Sequence, residues 1–247
     1  MNRYKIIIQY DGSSFSGWQL QKNSSTVQGQ IENALKIISG SENRIAVHGA
    51  GRTDSGVHAY GQVAHFDLDT NLKSKDLCNA INSNISEDIR IMSIKKISNY
   101  FESRYDAIRR RYRYQVYLGN SLLFRNQAWL VNDIDIIILE ELSKMIIGEH
   151  DFLSFSKYRS EQKNTYSIIY ESVWNKKDRM LLYEVSGNRF LHHMVRYLVG
   201  TMVQVSRGRY PIAKFSSLLH EPRKNVQIHR APANGLILLK VEYDKYL

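Results

Sequence analysis

Between residues 3 and 10 apolar and polar side chains alternate, with Tyr4, Ile6, Ile8 and Tyr10 on one face and Arg3, Lys5 and Gln9 on the other. That period of two predicts a half-buried strand. From Val27 the period lengthens, and Val27, Ile31, Ala34, Leu35 and Ile38 share one helical face. Ser25 stands where an N-cap belongs, with Gln28 three residues on as in a capping box. Two strands are predicted next, Arg44–Gly49 and His58–Asp67, then a helix near Lys75–Asn82 and a strand near Ile89–Ile97. The order is β-α-β-β-α-β.

A second run repeats it. A strand at Arg109–Leu118 leads into an irregular stretch containing Trp129. Asp133 opens the next predicted helix, whose apolar face is Ile134, Ile138, Leu142 and Met145. Strands near Thr165–Trp174 and Leu181–Ser186 precede a helix at Phe190–Val205, a short helix with Pro211 in its first turn, and a last strand at Leu236–Tyr243. The pattern predicts an α+β protein of two ferredoxin-like units, their sheets joined over a central basic cleft. The halves are 1–105 and 106–247, with the boundary near Asn99–Ala107.

Composition narrows the function classes. At 247 residues the chain can bury a substantial core, and 43% hydrophobic content is ordinary for a globular protein. A formal net charge of +10 and a pI near 9.5 favour phosphate-bearing partners or an anionic surface. The single cysteine, Cys78, excludes an internal disulfide and a multi-cysteine metal site, and reads as a buried, inert thiol. No apolar run reaches the roughly 20 residues a bilayer needs, so no membrane anchor and a cytoplasmic location are expected.

Chemistry concentrates in three places. Gly49-Ala50-Gly51-Arg52-Thr53-Asp54-Ser55-Gly56 is a sharply shaped loop that sets a carboxylate beside a guanidinium. Taken alone, Asp54 reads as a turn-former. On the strand from Arg109, Tyr112, Tyr114 and Val116 share a face, while Arg109, Arg111 and Arg113 form a basic belt on the other. By pattern, Tyr112 is equally a core tyrosine and a platform for stacking a flipped base beside arginines that hold phosphates. Arg196 lies among apolar neighbours on the predicted helix from Phe190, a costly place for a cation without a partner. His192, His193, Arg196 and Gly200 share a face there, with the two histidines about 100° apart. No two histidines have helical ligand spacing, so His48, His58 and His65 read as structural groups or RNA contacts and no metal is expected. Nucleophile elbows, Walker loops and dinucleotide fingerprints are absent from the sequence.

The Ala50–His58 stretch closely resembles the signature Ala-Gly-Arg-Thr-Asp-Ala-Gly-Val-His of the TruA-type tRNA pseudouridine synthases, with Ser55 in place of alanine. Four further stretches resemble the same family in order: Tyr10-Asp11-Gly12 with Gly17-Trp18-Gln19, Arg110–Tyr114, His192–Arg196, and Ala231-Pro232-Ala233-Asn234-Gly235-Leu236. The resemblance implies isomerisation of uridines 38–40 in the anticodon arm of tRNA, with no cofactor, by a homodimer whose cleft spans both subunits. It implies that Asp54 is the catalytic nucleophile and that Tyr112 contacts the target uridine. Arg196 matches the basic residue paired with the aspartate. Arg52 matches a second arginine beside it, in RNA contact or base extrusion.

The chain departs from the family pattern at Phe101-Glu102-Ser103-Arg104, where Phe-His-Ala-Arg is usual, at Ser86 for proline, and at Gln162-Lys163-Asn164-Thr165, which lacks an arginine. Those departures bear on RNA contacts and substrate range. Two other classes compete: a catalytically silent RNA-binding protein, which needs the basic surface and Tyr112 but no ionised Asp54, and a metal-dependent nuclease, which needs a carboxylate cluster.

Overall fold

A computed structural model describes residues 1–157 and 164–244; Gln162 and Lys163, noted above, lie outside the described residues. The protein is mixed α/β. In chain order the elements are β1 (Asn2–Tyr10), α1 (Val27–Ser39), β2 (His48–Gly49), β3 (His58–Leu68), α2 (Ser74–Asn82), β4 (Ile89–Ile97), β5 (Ala107–Leu118), β6 (Trp129–Val131), α3 (Ile136–Met145), β7 (Gly148–Asp151), β8 (Tyr166–Lys177), β9 (Met180–Gly187), α4 (Met194–Ser206), α5 (Ile212–His220) and β10 (Leu236–Tyr243). Among the described residues no helix is long and apolar enough to cross a membrane.

Two compact units form, Met1–Ile108 with Ile237–Leu247, and Arg109–Leu236. The last strand, read above as the end of the second half, therefore belongs with the first unit. There β1 is central, antiparallel to both β3 and β4, with Ile6 opposite Ala64 on one side and Ile94 on the other. On its far side β3 pairs with β2 and, in parallel, with β10. The even residues of β1 are buried as the alternation requires, and α2 packs on β4. In the second unit the strand order is β5-β9-β8-β7, with β6 parallel to β5. Helix α3 packs on β8 and α4, and α4 is buried almost all round.

Several boundaries differ from the pattern reading, each for a physical reason. Thr26, not Ser25, caps α1, its hydroxyl accepting the Gly29 amide. Gln28 closes no capping box; its amide donates to Glu32 and to the Val47 carbonyl. The Val47 amide donates to Glu32 as well, at 2.9 Å. Helix side chains thus take both backbone groups that a strand partner would need, and the strand expected over Arg44–Gly49 shrinks to His48–Gly49. Asp133 has φ of 59° and begins no helix. Asp135 caps α3 instead, moving its buried face to Leu139, Leu142 and Ser143. Pro211 is the N-cap of α5 rather than part of its first turn, so the helix begins one residue later than expected. Helix α4 starts at Met194, because His193 adopts φ of 62°. The short strands β6 and β7 have too few residues to show a period. Cys78 is half-buried, not buried; its thiol meets the Ile91 carbonyl, and burial raises its pKa.

The departures at Glu102 and Ser103 belong to one polar network in the first unit. Arg3 donates to Asp67 at 2.8 Å and to Glu102 at 2.8 Å. His65, 2% exposed, sits with Nδ1 3.0 Å from the Ser103 hydroxyl, which donates to the His48 carbonyl. Burial holds the His65 imidazole below its ordinary value of 6.5, with Glu102 pulling upward and Arg3 downward.

Two stability predictions follow from these contacts. Thr26→Ala is expected to cost about 1 kcal/mol in denaturant unfolding, and Ser25→Ala much less; the reverse order would return the cap to Ser25. His65 is harder to protonate folded than unfolded, so below pH 6.5 the unfolded chain binds the extra proton and stability falls with pH. The acid limb of Tm against pH is expected to flatten in His65→Gln.

Candidate active site

In the first unit the loop between β2 and β3 is held from below by the segment that follows β1. The Tyr10 hydroxyl is 2.8 Å from the Thr53 hydroxyl, both residues being buried. The Trp18 amide donates to the Thr53 carbonyl at 3.1 Å. Gly17, at φ of 94°, lies so close that a Cβ there would be 2.7 Å from that carbonyl. Further along, the Ser55 hydroxyl and the Gly56 amide both donate to the Phe15 carbonyl. On the upstream side the Gln62 amide donates to the Gly51 carbonyl at 2.9 Å. The loop's backbone is therefore fixed at Gly51, Thr53 and Ser55–Gly56. Between those anchors Arg52 is exposed and Asp54 half-buried. A half-buried carboxylate on a fixed backbone suits attack on a bound ligand.

Pattern reading missed the groups beneath this loop. Tyr10 and Trp18 belong to a motif that carried the family resemblance without a stated role, and contact with Thr53 supplies one. His58 is 7% exposed, its Nδ1 lying 3.1 Å from both the Gly12 amide and the Asp11 carboxylate. Those contacts require opposite tautomers, so one proton decides between them. Asp11 is partly buried, which by itself raises its pKa, yet the Ser13 hydrogen bonds and His58 hold it below the usual carboxylate range. His58 and His65 are thus built into the structure, and exposed His48 stacks on His65 at 5.0 Å.

In the second unit β5 carries Tyr112 on its buried face, 9% exposed, its ring edge-on to Phe190 at 5.1 Å. Tyr114 is fully buried and donates its hydroxyl to the Pro232 carbonyl at 2.7 Å. Burial drives the Tyr114 pKa far upward, against a smaller opposing pull from the Arg196 charge. The arginines of the basic belt, read above as holding phosphates, have partners of their own. Arg111 pairs with Glu171 at 2.9 Å, and Arg113 donates from Nε to Glu184 at 3.0 Å. Arg109 lies over the Tyr170 ring at 4.6 Å. Carboxylates on β8 and β9 offset much of that charge, so the belt is a weaker anion binder than its sequence suggests.

Arg196 is 8% exposed on α4 and donates from Nε to the Ala231 carbonyl at 2.9 Å. His192 and His193 do not share its helical face. Both precede α4, and their rings stack at 3.8 Å instead of diverging by 100°. Of the four candidates, Arg52 and Asp54 share one loop of the first unit, whereas Tyr112 and Arg196 belong to the second.

Known proteins of one family are similar to this chain over nearly its whole length. The profile of the family described as tRNA pseudouridine synthase matches residues 6–106 and 142–244. The tRNA pseudouridine synthase A of Maridesulfovibrio salexigens is 41% identical over 250 residues, covering 99% of this chain and 92% of that protein. Those of Borrelia hermsii and Streptococcus suis strain 05ZYH33 are 39% and 36% identical, each covering 99% of this chain and 100% of the relative.

Gly17→Ala forces a side chain into a positive-φ position against the Thr53 carbonyl. It is expected to cost more than about 1 kcal/mol in denaturant unfolding. An unchanged midpoint would show that the loop yields freely.

Proposed function

From the premise that the chain belongs to the tRNA pseudouridine synthase family, we propose that it isomerises uridines 38–40 of the tRNA anticodon arm, with Asp54 as nucleophile. As a pseudouridine synthase it is an isomerase. The bond from ribose C1′ to uracil N1 breaks, the base turns, C5 joins C1′, the C5 proton leaves, and N1 takes up a proton. Atoms and electrons balance within the nucleotide, so the reaction needs no electron carrier.

The observation that carries the reading is the half-buried Asp54 carboxylate on a loop anchored at both neighbouring residues. Asp54 attacks C1′ or C6, or assists formation of a glycal; the three routes make the same demand for an ionised, positioned carboxylate. Tyr112 stacks on the target base, and its hydroxyl assists removal of the C5 proton. Arg196 supplies the positive charge that the reacting carboxylate requires, and exposed Arg52 contacts RNA or aids base extrusion. Extruding a base costs a few kcal/mol, drawn from phosphate contacts elsewhere on the tRNA. We further read each half as ferredoxin-like, supported in the first unit by the order β4-β1-β3-β2 and the two intervening helices. The proposed assembly is a homodimer acting on whole tRNA in the cytoplasm.

Tritium release from C5-labelled uridine in unmodified tRNA, with EDTA present, tests the reading. Asp54→Asn should release none while binding tRNA normally, because phosphate contacts carry most RNA affinity. Turnover in that variant would remove the nucleophile assignment. Tyr112→Phe should bind but turn over about 100-fold more slowly, a loss typical of a missing general base. A wild-type rate would leave Tyr112 as a stacking ring only.

A further inference from the structure

The motif Ala231-Pro232-Ala233-Asn234-Gly235 has no part in the chemistry above, yet it touches both elements of the second unit that carry proposed site residues. Ala231 and Arg196 exchange two hydrogen bonds: the Ala231 amide donates to the Arg196 carbonyl at 3.0 Å, and Arg196 Nε donates to the Ala231 carbonyl at 2.9 Å. One turn along α4, Gly200 faces the same segment. A Cβ at Gly200 would sit 2.3 Å from the His229 carbonyl oxygen and 2.7 Å from the Ala231 amide nitrogen. The segment reaches Arg196 only because that side chain is missing.

The other end of the segment is fixed to β5. The Pro232 carbonyl accepts the Tyr114 hydroxyl, and a Cβ on Gly235 would lie 2.7 Å from the Tyr114 ring. The Asn234 amide donates to the Arg125 and Ala128 carbonyls. His229 stacks on Trp129 at 5.5 Å with the rings 15° apart. Tyr114 stands two residues from Tyr112 on the same face of β5.

We infer that residues 229–235 form a brace that aims the Arg196 guanidinium and sets it against the strand bearing Tyr112, with Gly200, Ala231 and Tyr114 as positioning residues. Holding Nε on a backbone carbonyl stops rotation of the planar fork and leaves its two terminal amino groups directed by the protein. The Ala231 residue is itself tied to the helix, its amide bonded to the carbonyl of the residue it orients. The inference rests on the assignment of Arg196 to the reaction.

The test uses the full chain, unmodified C5-tritiated tRNA, and the variants Gly200→Ala, Tyr114→Phe, Arg196→Lys and the double variant Arg196→Lys/Gly200→Ala. Lysine has no Nε–H fork for the brace to hold. A misplacement near 1 Å costs about 100-fold in rate, so Gly200→Ala should lower kcat by that order with tRNA Kd within about twofold. Tyr114→Phe keeps the ring, removes only the bond to Pro232, and should lower kcat roughly tenfold with the far-UV spectrum unchanged. In the Arg196→Lys background Gly200→Ala should add less than about threefold, since the group it misaims is gone. Independent, multiplying losses would overturn the brace. So would wild-type kcat in both Gly200→Ala and Tyr114→Phe when Arg196→Lys is impaired, which leaves the Arg196 assignment standing. A wild-type rate in Arg196→Lys would instead overturn that assignment, and the brace with it.

Discussion

A guanidinium buried to 8% exposure has to be held by groups that do not move, and at Arg196 the holder is backbone. The Ala231 carbonyl takes Nε, and the Ala231 amide is returned to the same residue's carbonyl. Leaving a buried cation without such contacts costs several kcal/mol, far more than one hydrogen bond contributes. Three further contacts in the second unit hold the segment that carries this carbonyl. Gly200 lets the chain approach, Tyr114 ties Pro232 to β5, and stacking on Trp129 fixes His229.

The first unit solves a related problem for an anion. The fold holds the backbone on either side of Asp54, and the residue itself is half-buried. Thr53 takes the anchoring, through a buried hydroxyl pair with Tyr10 and a carbonyl bonded to Trp18. In both units the anchors are short polar contacts inside apolar surroundings, where a hydrogen bond is stronger and its loss more costly than at the surface. The arginines of β5 are different. Paired with Glu171 and Glu184 at partly exposed positions, they contribute modestly to stability and present less free charge than a count of cations suggests.

Sequence by itself determined the elements whose residues repeat with a clear period, and five ordered motifs placed the chain in a family. The strand from Asn2 to Tyr10, the helix from Val27 and the strand Ile89–Ile97 follow from side chains taking turns to face an apolar layer, a local record of a local need. Only Arg196 is awkward in its surroundings by pattern; Asp54 and Tyr112 are singled out by the family resemblance, since alone they read equally well as a turn-former and a core tyrosine. Only the tertiary structure decided what those groups rest on. No periodicity records that Val47 bonds to Gln28 and Glu32 rather than to a strand, that His193 turns to positive φ and starts α4 late, or that Asp135 caps where Asp133 was expected. Nor does any pattern show that Ala231 reaches Arg196 across 35 residues of chain. The reason is physical: a side chain's polarity shows which environment it needs, but its hydrogen-bond partner is whatever distant backbone the fold brings within 3 Å.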